Sequence, residues 1–111
     1  VNLNGRTFVM VSSTASAVNP DSPTRFHYWE ADEVVWGEYT GDTVTHGRFV
    51  GTRDGDKVSI AYAHALVAGG KAGGQSSSRI ETGDDGLLRL VEEFSFDGDD
   101  TPHVSVCTEV A

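Results

Sequence analysis

The sequence predicts an all-β fold: an antiparallel up-and-down meander β-barrel of about eight strands. Three observations carry that expectation. Thirteen glycines, several beside aspartates, punctuate the chain at short intervals. The stretches between them alternate in polarity or are rich in β-branched and aromatic residues, as strands are. Every connection but one is too short for the crossover that a parallel pair needs, so sequential strands must pair as antiparallel neighbours. At 111 residues the chain has room for one hydrophobic core and not two, so residues 1–111 are expected to form a single domain.

Strands are expected at residues 6–13, 24–30, 34–39, 43–52, 57–66, 71–81, 87–96 and 104–110. The first two are separated by a polar loop over residues 14–23 that holds Pro20 and Pro23. In a closed meander such a loop sits at one barrel mouth, as a surface connection or a lid. Gly41-Asp42 reads as a two-residue hairpin loop, and Gly55 supplies a left-handed position between two aspartates. Gly69-Gly70, residues 83–86 and residues 97–100 supply the remaining turns, and Pro102 falls just before the last strand, where a missing N–H does no harm.

The seventh element is ambiguous. Leu87, Leu90, Val91 and Phe94 have the spacing of a helical stripe, which Asp84 or Asp85 would cap. The same segment is short, is bounded by glycines and alternates at Phe94-Ser95-Phe96, which favours a strand. Pairing the first strand with the eighth would remove two exposed sheet edges. Eight strands enclose an interior that is either filled by side chains or wide enough for one small ligand.

Alternation sorts the faces. Val58, Ile60, Tyr62, His64 and Leu66 form the larger face of the fifth strand and are expected inside. Phe26, Tyr28 and Glu30, then Ser76, Ser78 and Ile80, then Leu90, Glu92 and Phe94 follow the same rule, whereas neither face of the fourth strand is cleanly apolar. Tyr28, Tyr62, His64, Ser76, Ser78 and Glu92 therefore form a polar set in the interior and are the candidate ligand-binding residues. Their partners are each other, water or a ligand. Glu92 among apolar neighbours should titrate unlike an exposed glutamate. Trp29, Trp36 and Tyr39 are the largest candidates for exposed apolar surface, either as a homodimer contact or as cover for a barrel end.

A formal net charge of −9, from 17 acidic against 8 basic residues, repels polyphosphate and anionic headgroups, so nucleic acid and membrane are not expected partners. The longest apolar runs, such as residues 61–68, are too short to span a bilayer. Cys107 is the lone cysteine, which makes a reducing cytoplasm the expected compartment and a disulfide framework the wrong one. Residues 1–10 show no signal-peptide pattern, although a start at Val1 leaves a trimmed leader open.

His27, His46, His64 and His103 form no HxH or HxxxH pair, so no metal is expected. Cys107 with His64 lacks any local signature of a nucleophile. The run from Gly69 through Lys71 to Gly74 has Ala72 where a phosphate loop has Ser or Thr, and no helix follows, so no nucleotide cofactor is expected.

The strings Thr24-Arg25-Phe26-His27-Tyr28, Val35-Trp36-Gly37-Glu38-Tyr39-Thr40-Gly41, Gly47-Arg48-Phe49-Val50-Gly51, Tyr62-Ala63-His64 and Leu88-Arg89-Leu90-Val91-Glu92-Glu93-Phe94 span nearly the whole chain. Together they resemble a family of small bacterial proteins often labelled "N-acetylglutamate synthase". The resemblance implies a small β-barrel and assigns a catalytic role to no position. The acetyltransferase fold behind that label grips a pyrophosphate at a helix N-terminus, and no such helix is expected here, so acetyl transfer is not expected either. In architecture the chain is similar to avidin-like and lipocalin-like barrels. The expected function is binding of a small, partly polar ligand inside the barrel. The alternatives are an enzyme using Glu92 and His64 as acid and base, and a filled barrel acting through its surface.

Overall fold

The computed structural model describes residues 2–15, 18–19, 21–41 and 43–110. Its strands are β1 (Arg6–Ser13), β2 (Arg25–Ala31), β3 (Val34–Thr40), β4 (Val44–Asp54), β5 (Lys57–Leu66), β6 (Lys71–Thr82), β7 (Leu88–Phe96) and β8 (His103–Glu109). Each pairs antiparallel with the next, and β1 pairs with β8 to close the barrel. The expected meander is the observed fold, and β7 is a strand. Three of the proposed loop positions, Pro20 among them, and Asp42 of the Gly41-Asp42 turn lie outside the described residues.

Strand order gives the barrel two unlike ends. At one, two-residue turns join β2 to β3 and β4 to β5, and residues 83–87 join β6 to β7. Asp32 and Glu33 form the first of these with φ of 51° and 65°, a two-residue turn with both residues left-handed. Leu3, fully buried, plugs this end. The other end carries the two longest connections, residues 14–24 and 97–102, and is the mouth.

Side chains alternate as the sequence expects. Val58 and Ile60 on β5, Ser76, Ser78 and Ile80 on β6, and Leu88 and Leu90 on β7 are buried. Two bulges interrupt the alternation, at Val11 in β1 and at Thr45 in β4, both near the mouth. The second explains the mixed faces of the fourth strand. Simple alternation from Phe49 would put Thr45 inside, but the extra residue turns it out and brings Val44 in.

Four inward glycines face large inward side chains across a strand pair: Gly37 with Phe49, Gly47 with Tyr39, Gly51 with Ile60 and Gly74 with Tyr62. Each glycine leaves the space that its neighbour's ring or branch occupies, the small-against-large fit by which a small barrel fills its interior. On the outer wall Trp29, Trp36 and Val50 lie in one cross-strand row, with Trp36 exposed. No described helix is long and apolar enough to cross a membrane.

Candidate functional site

A cavity of about 330 Å³ opens at the mouth and descends between the strands. Six aromatic rings line it: Phe26, Tyr39, Phe49, Tyr62, Phe94 and Phe96. These come from β2, β3, β4, β5 and β7. Tyr39 stacks on Phe26 at 5.0 Å between centroids, and Tyr62 stands edge-on to both Phe94 and Phe96. Beneath them Tyr28 packs against Phe8 and Phe49 as the floor.

Polar groups enter this apolar wall at three places. Tyr39 Oη and His64 Nδ1 are 2.7 Å apart. Burial raises the Tyr39 phenol and lowers His64, so both are neutral near pH 7. The direction of this bond follows the ring's tautomer: Tyr39 donates when the His64 proton is on Nε2 and accepts when it is on Nδ1. Nε2 makes no hydrogen bond among the described residues and can pair with a ligand, as donor or acceptor according to that tautomer. Tyr62 donates its O–H to the Ser95 carbonyl at 2.9 Å. Glu92 Oε1 accepts from the Ser105 hydroxyl at 2.8 Å.

Glu92 is the unusual group. It touches the cavity but is otherwise surrounded by protein, and this burial raises its pKa above the ordinary carboxylate value, against the opposing pull of the Ser105 and Ser76 hydroxyls. Ser76 lies close enough to favour the charge, yet its Oγ makes no hydrogen bond of good geometry among the described residues. A carboxyl whose folded pKa is raised binds its proton more tightly in the native state. Stability is therefore full below the unfolded pKa and falls as pH rises through the interval up to the folded value. Glu92→Gln keeps the Ser105 bond and removes the charge. Urea midpoints measured from pH 4 to pH 8 are expected to show the Glu92→Gln variant overtaking wild type as pH rises; a constant offset would mean that Glu92 is as easily ionised as a surface glutamate.

Of the residues singled out in the sequence, Tyr62, His64 and Glu92 line the cavity. Tyr28, Ser76 and Ser78 are buried in the barrel wall and floor without lining it. Tyr39 requires a correction. Expected at the surface, it is 5 % exposed and points inward, because Val35, Gly37 and Tyr39 share the buried face of β3. That alternation was present in the sequence, masked by Trp36 and by the small Gly37. Cys107 is buried, with its thiol pushed up by burial and by Glu92, an inert setting. No group of three metal-ligating side chains gathers among the described residues. All described elements are strands, so the acetyl-transfer label finds no helix terminus to support it.

No curated protein and no solved structure matches the chain. The family model described as "Avidin-like protein" matches residues 1–110, and the chain belongs to that avidin-like family.

Proposed function

We propose that the protein binds a small, partly polar ligand in the barrel cavity, with Tyr39, Tyr62, His64 and Glu92 as its polar contacts. The observation that carries this reading is a mouth-opening cavity of about 330 Å³ whose aromatic wall is interrupted by a few polar groups. That size and composition fall within the range of small-molecule sites. Membership of the avidin-like family supports a barrel of ligand-binding type. His64 Nε2 and the Glu92 carboxyl offer the ligand two hydrogen-bonding groups, and the apolar rings around them strengthen both.

Uncharged aromatic probes such as phenol and benzyl alcohol test it. In NMR titrations they are expected to shift side-chain signals of Tyr39, Tyr62 and His64. Ala72 lines the cavity opposite His64 on β6. Ala72→Trp should fill that space and weaken the probes about tenfold or more, the equivalent of roughly 1.4 kcal/mol. Probes that perturb only the outer wall, or that bind the variant as well as wild type, would refute the reading.

A further inference from the structure

We propose that the cavity's ligand is an organic cation, an ammonium head held at Glu92 with an apolar body among the rings. This deepens the small-ligand reading and rests on it.

Two of the other glutamates, Glu33 and Glu93, are exposed to water, and the rest come with an arginine, Glu38 with Arg48 at 3.5 Å among them. Glu30 is clamped by Arg53 at 2.8 Å, Glu109 by Arg6 at 2.8 Å and Glu81 by Arg79 at 2.7 Å. Glu92 has none. It is the one carboxylate among the described residues that line the cavity, and neither lysine nor arginine lines it.

The groups that face Glu92 from each packed element are neutral. Ser76 and Ser78 face it from β6, Ser105 and Cys107 from β8, Tyr28 from β2, Tyr39 from β3 and Tyr62 from β5. Its charge makes the three phenols and the thiol still harder to ionise. His64, the one base among the described residues that line the cavity, is held neutral by burial. Glu92 Oε1 has the Ser105 bond, whereas Oε2 has no hydrogen bond among the described residues.

A largely buried carboxyl left without a counter-charge is an expensive feature for a merely structural residue. An ammonium entering the cavity would supply the missing charge and restore the ionised form. The aromatic wall adds to this selection, because ring faces present negative potential and attract cations. The net charge of −9 attracts cations to the molecule and repels anions. At roughly 30 Å³ per water, a cavity of about 330 Å³ holds about eleven water-sized volumes, room for an aryl-alkyl ammonium.

The test compares three probes of similar shape by calorimetry on wild-type protein: 2-phenylethylammonium, uncharged 2-phenylethanol and anionic 3-phenylpropanoate. The cation is expected to bind about tenfold or more tightly than the alcohol, in keeping with the strength of hydrogen bonds to charged groups, and the anion most weakly. Glu92→Gln should abolish the cation's advantage over the alcohol. The wild-type comparison stands even if that variant folds poorly. Equal binding of cation and alcohol, or tighter binding of the anion, overturns the cation and leaves the cavity reading intact. Binding of none of the three overturns both.

Discussion

Replacing Arg53 by alanine is expected to destabilise the barrel by about 3 kcal/mol, because it strands a covered carboxylate. The Glu30 side chain is only 2 % exposed, and both its oxygens are engaged by Arg53: Nε lies 2.8 and 3.0 Å from them and the terminal nitrogen 2.8 Å from Oε2. Leu3 N–H adds a further bond to Oε1 at 3.0 Å, so one carboxylate ties the plug, β2 and β4 together. The cover over this pair is thin, since it sits at the closed end and not mid-barrel, which puts the cost at the lower end of the range for broken buried pairs. A thermal midpoint lower by about 10 °C should result.

The pH dependence has a definite sign. The Arg53 hydrogen bonds hold Glu30 below the ordinary glutamate value, outweighing its desolvation. A carboxyl with a lowered folded pKa contributes stability above its unfolded pKa and loses it as pH falls through the folded value. The gap between wild type and Arg53→Ala should therefore narrow in acid. Thermal melts at pH 7 and pH 3 read both effects, and a midpoint change under about 2 °C at pH 7 would show the pair to be mere surface decoration.

Gly51→Ala is the second severe change. An added methyl would meet the Ser59 carbonyl oxygen and would lie 2.6 Å from Ile60 Cα and 2.8 Å from its Cγ2. Two of these are main-chain atoms of the paired strand, which no rotamer change can move. The β4–β5 pairing would have to spread locally, at a cost of about 3 kcal/mol, the upper end for overpacked cores. Gly55→Ala provides the contrast. Nothing lies within 4 Å of its methyl position, so only the strain of a φ of 58° opposes it. Urea midpoints should rank wild type above Gly55→Ala and Gly55→Ala above Gly51→Ala; reversal of the last two would mean that β4 and β5 approach less closely than described.

The architecture was legible because it is written in short-range signals. Turn residues, proline placement and period-two alternation located each strand to within two residues at either end. Features that depend on residues far apart were not legible. The Asp32-Glu33 turn has no glycine to announce it, although its two left-handed residues would favour one. The bulges at Val11 and Thr45 shift the inward face without any change in composition.

The site divides along the same line. Tyr62, His64 and Glu92 sit on regular stretches of β5 and β7, where counting by two reaches the right face. Tyr39 was hidden by its neighbours' character, since a tryptophan and a glycine blur the alternation of β3. The Glu30–Arg53 pair joins β2 to β4, and no local pattern links residues 23 positions apart.

β1 begins and β8 ends at the plugged end of the barrel, where Arg6 and Glu109 join the two strands at 2.8 Å and Val110 N–H donates to the Thr7 carbonyl. Both ends of the described chain thus leave on the side away from the cavity. A surface tether, a fluorophore or a fused partner attached at either end would leave the mouth unobstructed. The molecule can be immobilised facing solvent without any change to the loops around its opening.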